Sequence, residues 1–287
     1  MISQRTWLVV GAVGVAGLVA LLASRPQDNA PATATPEPPG QVESDADRVA
    51  AILAELPRPF PADAKVSVQA KKDRFFGFLA PLVEQENQRI LGVRQRLKTL
   101  LAQINNGATL HEADRTWVEN LGKDYRVPIA LDEAGEGAYV TRLLKRVDVI
   151  PLSLALSQSA NESAWGTSRF AVEGNNYFGQ WCFEPGCGLV PEGRPKGKKY
   201  EVAAFDDPYG SVRAYIKNLN SHPMYQELRD IRAELRTYGE TPSGSALSEG
   251  LERYSARGEA YIDELQSMIR FNNLDEVTAE SFATPAG

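Results

Sequence analysis

Residues 152–181 read LSLALSQSANESAWGTSRFAVEGNNYFGQW. Pro151 stands just before them, where proline suits the first turn of a helix. The stretch up to Trp165 is Ala, Ser and Leu on several faces, the composition of a helix buried at the centre of a domain. Glu162 interrupts it. A carboxylate in such surroundings is costly unless it is paired, neutralised or used. Gln158 lies one turn before it and Trp165 three residues after it, both on its face of a continuing helix. An indole beside the carboxyl excludes water and raises its pKa, which keeps a proton ready for a leaving-group oxygen. The alternative is a glutamate at a helix end that pairs with Arg169 or faces water. Gly166 supplies the bend that ends this helix.

Outward from this helix the character changes. Residues 174–210 are rich in Gly, Pro and aromatics and predict loops with a β-hairpin, with Lys198–Phe205 as one strand. Helices are predicted over Pro208–Leu219, Tyr225–Tyr238, Ser243–Tyr254 and Glu259–Asn272. Upstream, a helix is expected over about 45–56, ended by Pro57, and one or two helices over 70–104. Thr109 followed by Glu112 predicts a capping box opening a helix to about Leu121, and a further helix spans about Glu133–Val147. The fold class expected is mainly α, with a small β-hairpin lobe.

The 287 residues, 43% hydrophobic and 24% charged, exclude wholesale disorder. A net charge of −6 and no basic run speak against a nucleic-acid partner. Two histidines, His111 and His222, speak against a multi-histidine metal site, and no metal or organic cofactor is expected. The run from Trp7 to Ala23 carries no charge over 17 residues and is flanked by Arg5 and Arg25. It predicts a single-pass inner-membrane anchor over 1–25, with a cleaved signal and a secreted periplasmic protein as the alternative. Residues 26–44 are rich in Pro, Ala and Thr and predict an extended linker. A helical segment over 45–122 and a domain over 123–275 follow, and residues 276–287 are expected to be a disordered tail.

The string around Glu162 resembles the glucosaminidase domain of bacterial cell-wall hydrolases. There a helix ends in Glu-Ser-x-Trp-Gly-x-Ser, here Glu162, Ser163, Trp165, Gly166 and Ser168. A Gly-Asn-Asn-x-Phe-Gly turn follows, here Gly174, Asn175, Asn176, Phe178 and Gly179. SVRAYIKNLNSHPMY (211–225) and YSARGEAYIDEL (254–265) look like further family segments, so the likeness covers about 125–272. The helical N-terminal region and the Cys-x4-Cys insertion resemble the Bax-like branch.

That resemblance implies a lysozyme-like α+β fold and hydrolysis of β-1,4 bonds next to N-acetylglucosamine in peptidoglycan strands, with Glu162 as general acid. Tyr254 matches a tyrosine near the family's active site. Gln158, Trp165, Asn175, Asn176, Tyr177 and Trp181 are expected at the substrate, with Asn175 and Asn176 holding either loop backbone or sugar hydroxyls. Phe178 and Tyr261 are expected to pack. Glycosidases usually use two carboxylates. Glu192 fits the place of the second, with Glu184 and Glu201 as rivals, and assistance by the substrate's acetamido group would remove the need for one. Cys182 and Cys187 are expected to form a disulfide in an oxidising compartment, with free thiols or half a metal site as alternatives. The rival functions are a lytic transglycosylase and a non-catalytic glycan-binding or scaffold module. The sequence sets no oligomeric state.

Overall fold

A computed structural model describes residues 44–55 and 67–282. The expected anchor over 1–25 and all but the last residue of the expected linker over 26–44 lie outside the described residues. Among the described residues no helix is long and apolar enough to cross a membrane.

The helices are α1 (Asp45–Glu55), α2 (Val68–Asn105), α3 (Glu112–Asp124), α4 (Leu131–Ala134), α5 (Glu136–Arg146), α6 (Leu152–Glu162), α7 (Arg169–Gly174), α8 (Pro208–Ser221), α9 (Gln226–Thr237), α10 (Gly244–Ser248) and α11 (Glu259–Phe271). The strands are β1 (Trp181–Cys182), β2 (Gly188–Leu189) and β3 (Glu201–Ala203), in an antiparallel sheet of order β1-β3-β2.

The 70–104 periodicity is one helix. Ser67 caps α2 by accepting from the Ala70 N–H, and the row Phe75, Leu79, Leu82, Val83, Ile90 and Leu97 is buried at helical spacing. Pro81 sits inside α2 and removes one backbone donor without ending the helix. This row belongs to the same core as Leu154, Ala155, Leu156, Tyr215 and Leu265. Segments 45–122 and 123–275, which the sequence reads separately, therefore share one interior.

The core is organised around α6. Every residue from Ser153 to Ala160 is buried, because α2, α10 and α11 pack around it. Small side chains permit that approach: a Cβ at Gly244 of α10 would lie 2.2 Å from the Ser153 hydroxyl. Two polar devices set where α6 starts. Asn87 of α2 donates to the Ile150 carbonyl at 2.8 Å and accepts from the Ile150 N–H at 3.1 Å. Asp148 is 2% exposed and takes two hydrogen bonds from Arg236, at 2.6 and 2.8 Å, with Arg94 at 3.3 Å. The loop that launches α6 is thus tied to α2 and α9. Pro151 stands just ahead of the first turn, as its cap.

Several local expectations are corrected. α3 begins at Glu112 with His111 as a cap that makes no side-chain bond, so the Thr109 capping box does not form; Glu136 of α5 accepts the Leu110 N–H. Gly135, at φ 77°, splits the expected 133–147 helix into α4 and α5. The strand expected over 198–205 shortens to Glu201–Ala203. Gly188 is required opposite it, since a Cβ there would lie 1.9 Å from the Val202 carbonyl oxygen. The tail is not disordered up to residue 282. Short 3-10 turns cover Leu274–Glu276 and Ala279–Phe282, and the Phe282 ring packs 5.6 Å from that of Phe76. Residues 283–287 lie outside the described residues.

Candidate active site

Glu162 is the last residue of α6, and its side chain is partly buried. Burial raises its pKa above the ordinary glutamate value of 4.5; a hydrogen bond from Tyr261 and the charge of Arg257 oppose the rise, and the charge of Glu264 adds to it. Tyr261 of α11 donates to Glu162 Oε1 at 2.9 Å. The phenol in turn accepts from Gln158 Nε2 at 2.9 Å, and Gln158 Oε1 accepts from the Tyr215 hydroxyl at 2.7 Å. Gln158, Tyr215 and Tyr261 are all at most 1% exposed. Burial first, and then the neighbouring Glu162 charge, hold the Tyr261 phenol far above its usual range, so it stays a donor.

The relay runs in one direction. The Tyr215 hydroxyl donates to the Gln158 amide oxygen, which turns the amide nitrogen toward Tyr261. The Tyr261 oxygen accepts there, so its one hydrogen goes to Glu162 Oε1. Oε1 is therefore an acceptor, and a proton on Glu162 resides on Oε2. Oε2 faces Gly179: a Cβ there would come within 3.3 Å of it. Gly179 is at φ 63°, in the turn after α7. Its missing side chain leaves Oε2 approachable. Gly179→Ala is expected to lower kcat/KM several-fold, because the added methyl crowds Oε2, and to destabilise by about 1 kcal/mol for its positive φ. Steady-state rates and a denaturant titration would check both, and an unchanged rate would refute the role of the gap.

The other residues expected at the substrate take different places. Gln158 is a buried member of the relay with both amide atoms committed to tyrosines, so it does not reach substrate. Trp165 does not line the Glu162 face. The helix stops at Glu162, and Ala164, Trp165 and Gly166 take φ values of 50°, 58° and 75°, which swing the indole onto Phe75 (5.7 Å between ring centroids) and Phe76 (5.4 Å). Tyr177 is 2% exposed and packs on Phe78, so it lines no groove.

Asn175 caps α7 in the left-handed region and donates to the Phe205 carbonyl. Asn176, 1% exposed, donates to the Gln180 and Ala203 carbonyls and accepts from the Phe178 and Gln180 N–H groups. Both asparagines hold loop backbone, the first of the two roles their positions offered. Phe178 is buried and stacks on Tyr215 at 3.9 Å. Trp181 is 53% exposed and rests edge-on against Tyr200, presenting a ring face on the hairpin lobe.

Tyr254 donates to the Phe178 carbonyl at 3.2 Å and its ring stacks on Tyr261 at 5.5 Å, so it buttresses the relay. Tyr261, read from the sequence as packing, is the residue that touches Glu162. Its detectable signal is a phenol on the buried stripe Tyr261, Ile262, Leu265, Ile269 of α11, since a buried hydroxyl needs a partner.

Cys182 and Cys187 are disulfide-bonded. Their sulfurs and a Glu201 oxygen cluster within 4.8 Å, but a disulfide offers no thiolate, and Glu201 accepts from the Gly186 and Gly188 N–H groups. The cluster is a lobe clasp rather than a metal site. Glu201 is consumed by that role, and the two N–H groups hold its carboxyl below the usual range. Glu184 and Glu192 are exposed on the lobe, and no described interaction joins either to Glu162. The carboxylate whose charge bears on Glu162 is Glu264 of α11, which the sequence did not single out; it is half-exposed and ion-paired with Arg257 at 2.6 Å.

Glu162 at the end of a buried helix, a buried tyrosine relay and a small β lobe make up the candidate site. A family model described as mannosyl-glycoprotein endo-beta-N-acetylglucosaminidase matches residues 137–274. The chain belongs to the glucosaminidase family, in its Bax-like branch. Protein bax of Escherichia coli (strain K12) is 32% identical over 204 residues, 70% of each chain. No solved structure matches this chain.

Proposed function

We propose that the chain is a peptidoglycan hydrolase that cleaves the β-1,4 bond at N-acetylglucosamine, with Glu162 as general acid. The observation that carries this reading is the state of Glu162: a carboxyl at the end of a buried helix, its pKa raised, one oxygen held by Tyr261 and the other facing the gap at Gly179. The Oε2 proton passes to the glycosidic oxygen as the C–O bond breaks. Water adds to the anomeric carbon, and its proton restores the acid. The Tyr261 hydrogen bond strengthens as Glu162 becomes an anion, so the relay serves the charged state formed in the transition state. Positive charge developing at the sugar meets the electron-rich ring of the half-buried Tyr254. Trp181 offers an exposed ring for a flat sugar face. The uncharged run Trp7–Ala23 supports export of the domain to the side where the wall lies.

Mass spectrometry of glycan digested by the purified chain tests the reading. The expected products carry reducing N-acetylglucosamine ends. A 1,6-anhydro end on muramic acid would make the protein a lytic transglycosylase, and an undigested wall would leave a glycan-binding module.

A further inference from the structure

A cavity of about 190 Å³ lies between α5 and α9 and is lined by Arg142, Lys145, Arg146, Arg229 and Asp230. Four cations face one carboxylate, in a chain whose net charge is −6. Lys145 Nζ is 2.5 Å from Asp230 Oδ1, and the charge of Asp230 also bears on Arg229, so one carboxylate is shared between two of the cations. Arg229 is 2% exposed; its Nη1 donates to the Leu219 carbonyl at 2.8 Å and the His222 carbonyl at 2.9 Å. Arg146 Nη1 donates to the Tyr125 and Ser221 carbonyls. Neutral carbonyls fix these guanidiniums in place without neutralising them. Among the described residues the Nε and Nη2 donors of Arg229 have no acceptor and Arg142 has no ion pair. Burial and the charge of Arg146 pull Arg229 down to about 10, and the charge of Asp230 opposes them only in part. Fixed, unpaired guanidinium forks in a concave site bind oxyanions, and carboxylates match the fork.

A chain of side-chain contacts runs from the cavity toward the candidate active site. A neighbouring groove shares Gln226 and Asp230 with it, and the groove's lining includes Arg253, next in the chain to Tyr254. Tyr254 stacks on Tyr261 toward Glu162, and its ring also lies 5.8 Å from that of Tyr225, which in turn lies 5.9 Å from His222. The His222 carbonyl is one that Arg229 holds.

We propose that this cavity takes a carboxylate of the peptides borne by the glycan, so that the protein favours peptide-substituted strands. The proposal rests on the peptidoglycan reading above. The test uses the full chain with Glu162→Gln, so that ligands survive, and measures binding by calorimetry with and without Arg142→Glu. Arg142 is exposed on its helix, so its replacement leaves the core intact.

Three probes are compared: a peptide-free N-acetylglucosamine oligosaccharide, a disaccharide tetrapeptide, and that compound with its carboxylates amidated. Arg142→Glu is expected to weaken the carboxylated compound about tenfold and to spare the other two. An equal loss for the amidated form, or no loss for the carboxylated one, overturns the proposal. If the oligosaccharide fails to bind while the carboxylated compound binds and responds to Arg142→Glu, the glycan reading falls and the carboxylate site stands. If none of the three binds, both fall.

Discussion

Glu162→Gln is expected to cut the rate of wall digestion by about 10²- to 10⁴-fold, the range a general acid contributes. The amide is isosteric and its oxygen can still accept from Tyr261, so the relay survives while the transferable proton is lost. The fold should gain from the change. Glu162 binds its proton more tightly when folded than unfolded, since burial raises its pKa. Wild-type stability therefore falls as pH rises from 4.5 through the raised folded value, and a neutral glutamine has no such dependence. Melting curves of the two proteins should coincide below pH 4.5 and separate above it, with the variant the more stable. Digestion within a few-fold of wild type would remove Glu162 from the chemistry. A variant less stable than wild type at neutral pH would mean that the carboxylate is compensated in the fold.

The helical periodicities of α2, α8, α9 and α11 were legible because each lays one apolar stripe on a common core, and the stripe is written at 3.6-residue spacing. The centrality of α6 was legible from its small residues. The geometry just past it was not. Ala164 and Trp165 occupy the left-handed region, which neither residue type signals, and this turn carries the indole to Phe75 of α2 instead of to Glu162. The Glu162–Tyr261 bond joins residues 99 apart, and no local pattern encodes such a pair. The two buried polar groups Gln158 and Tyr261 were its trace, each on a face that had no water to satisfy it. The Thr109 box failed because the helix starts two residues later than the pattern suggests, with His111 in the cap position. Glu162 was thus legible as a candidate acid, and the means of holding its carboxyl came from contacts between remote helices.

Tyr261→Phe tests that means of holding. It removes the donor to Glu162 Oε1 and leaves Gln158 Nε2 facing a ring, so it should cost about 1–3 kcal/mol of stability for the orphaned buried amide. Its effect on activity has a sign. The Tyr261 hydrogen bond lowers the Glu162 pKa against the larger effect of burial. Without it the acid holds its proton to a higher pH, and the basic limb of the kcat/KM profile should move up. The plateau rate should fall about tenfold at the same time, because the anion formed on proton transfer loses a charge-assisted hydrogen bond. A merely structural tyrosine would lower the plateau through unfolding but leave the limb where it was. A limb that moves down would mean that Glu162 donates to the phenol. The acid proton would then sit on Oε1, away from Gly179, and the direction argued for the whole relay from Tyr215 onward would be reversed. Repeating the profile with Gln158→Leu separates the two effects. That change strips the amide from between two buried hydroxyls but keeps the phenol donor, so it should cost stability while leaving the limb close to its wild-type position.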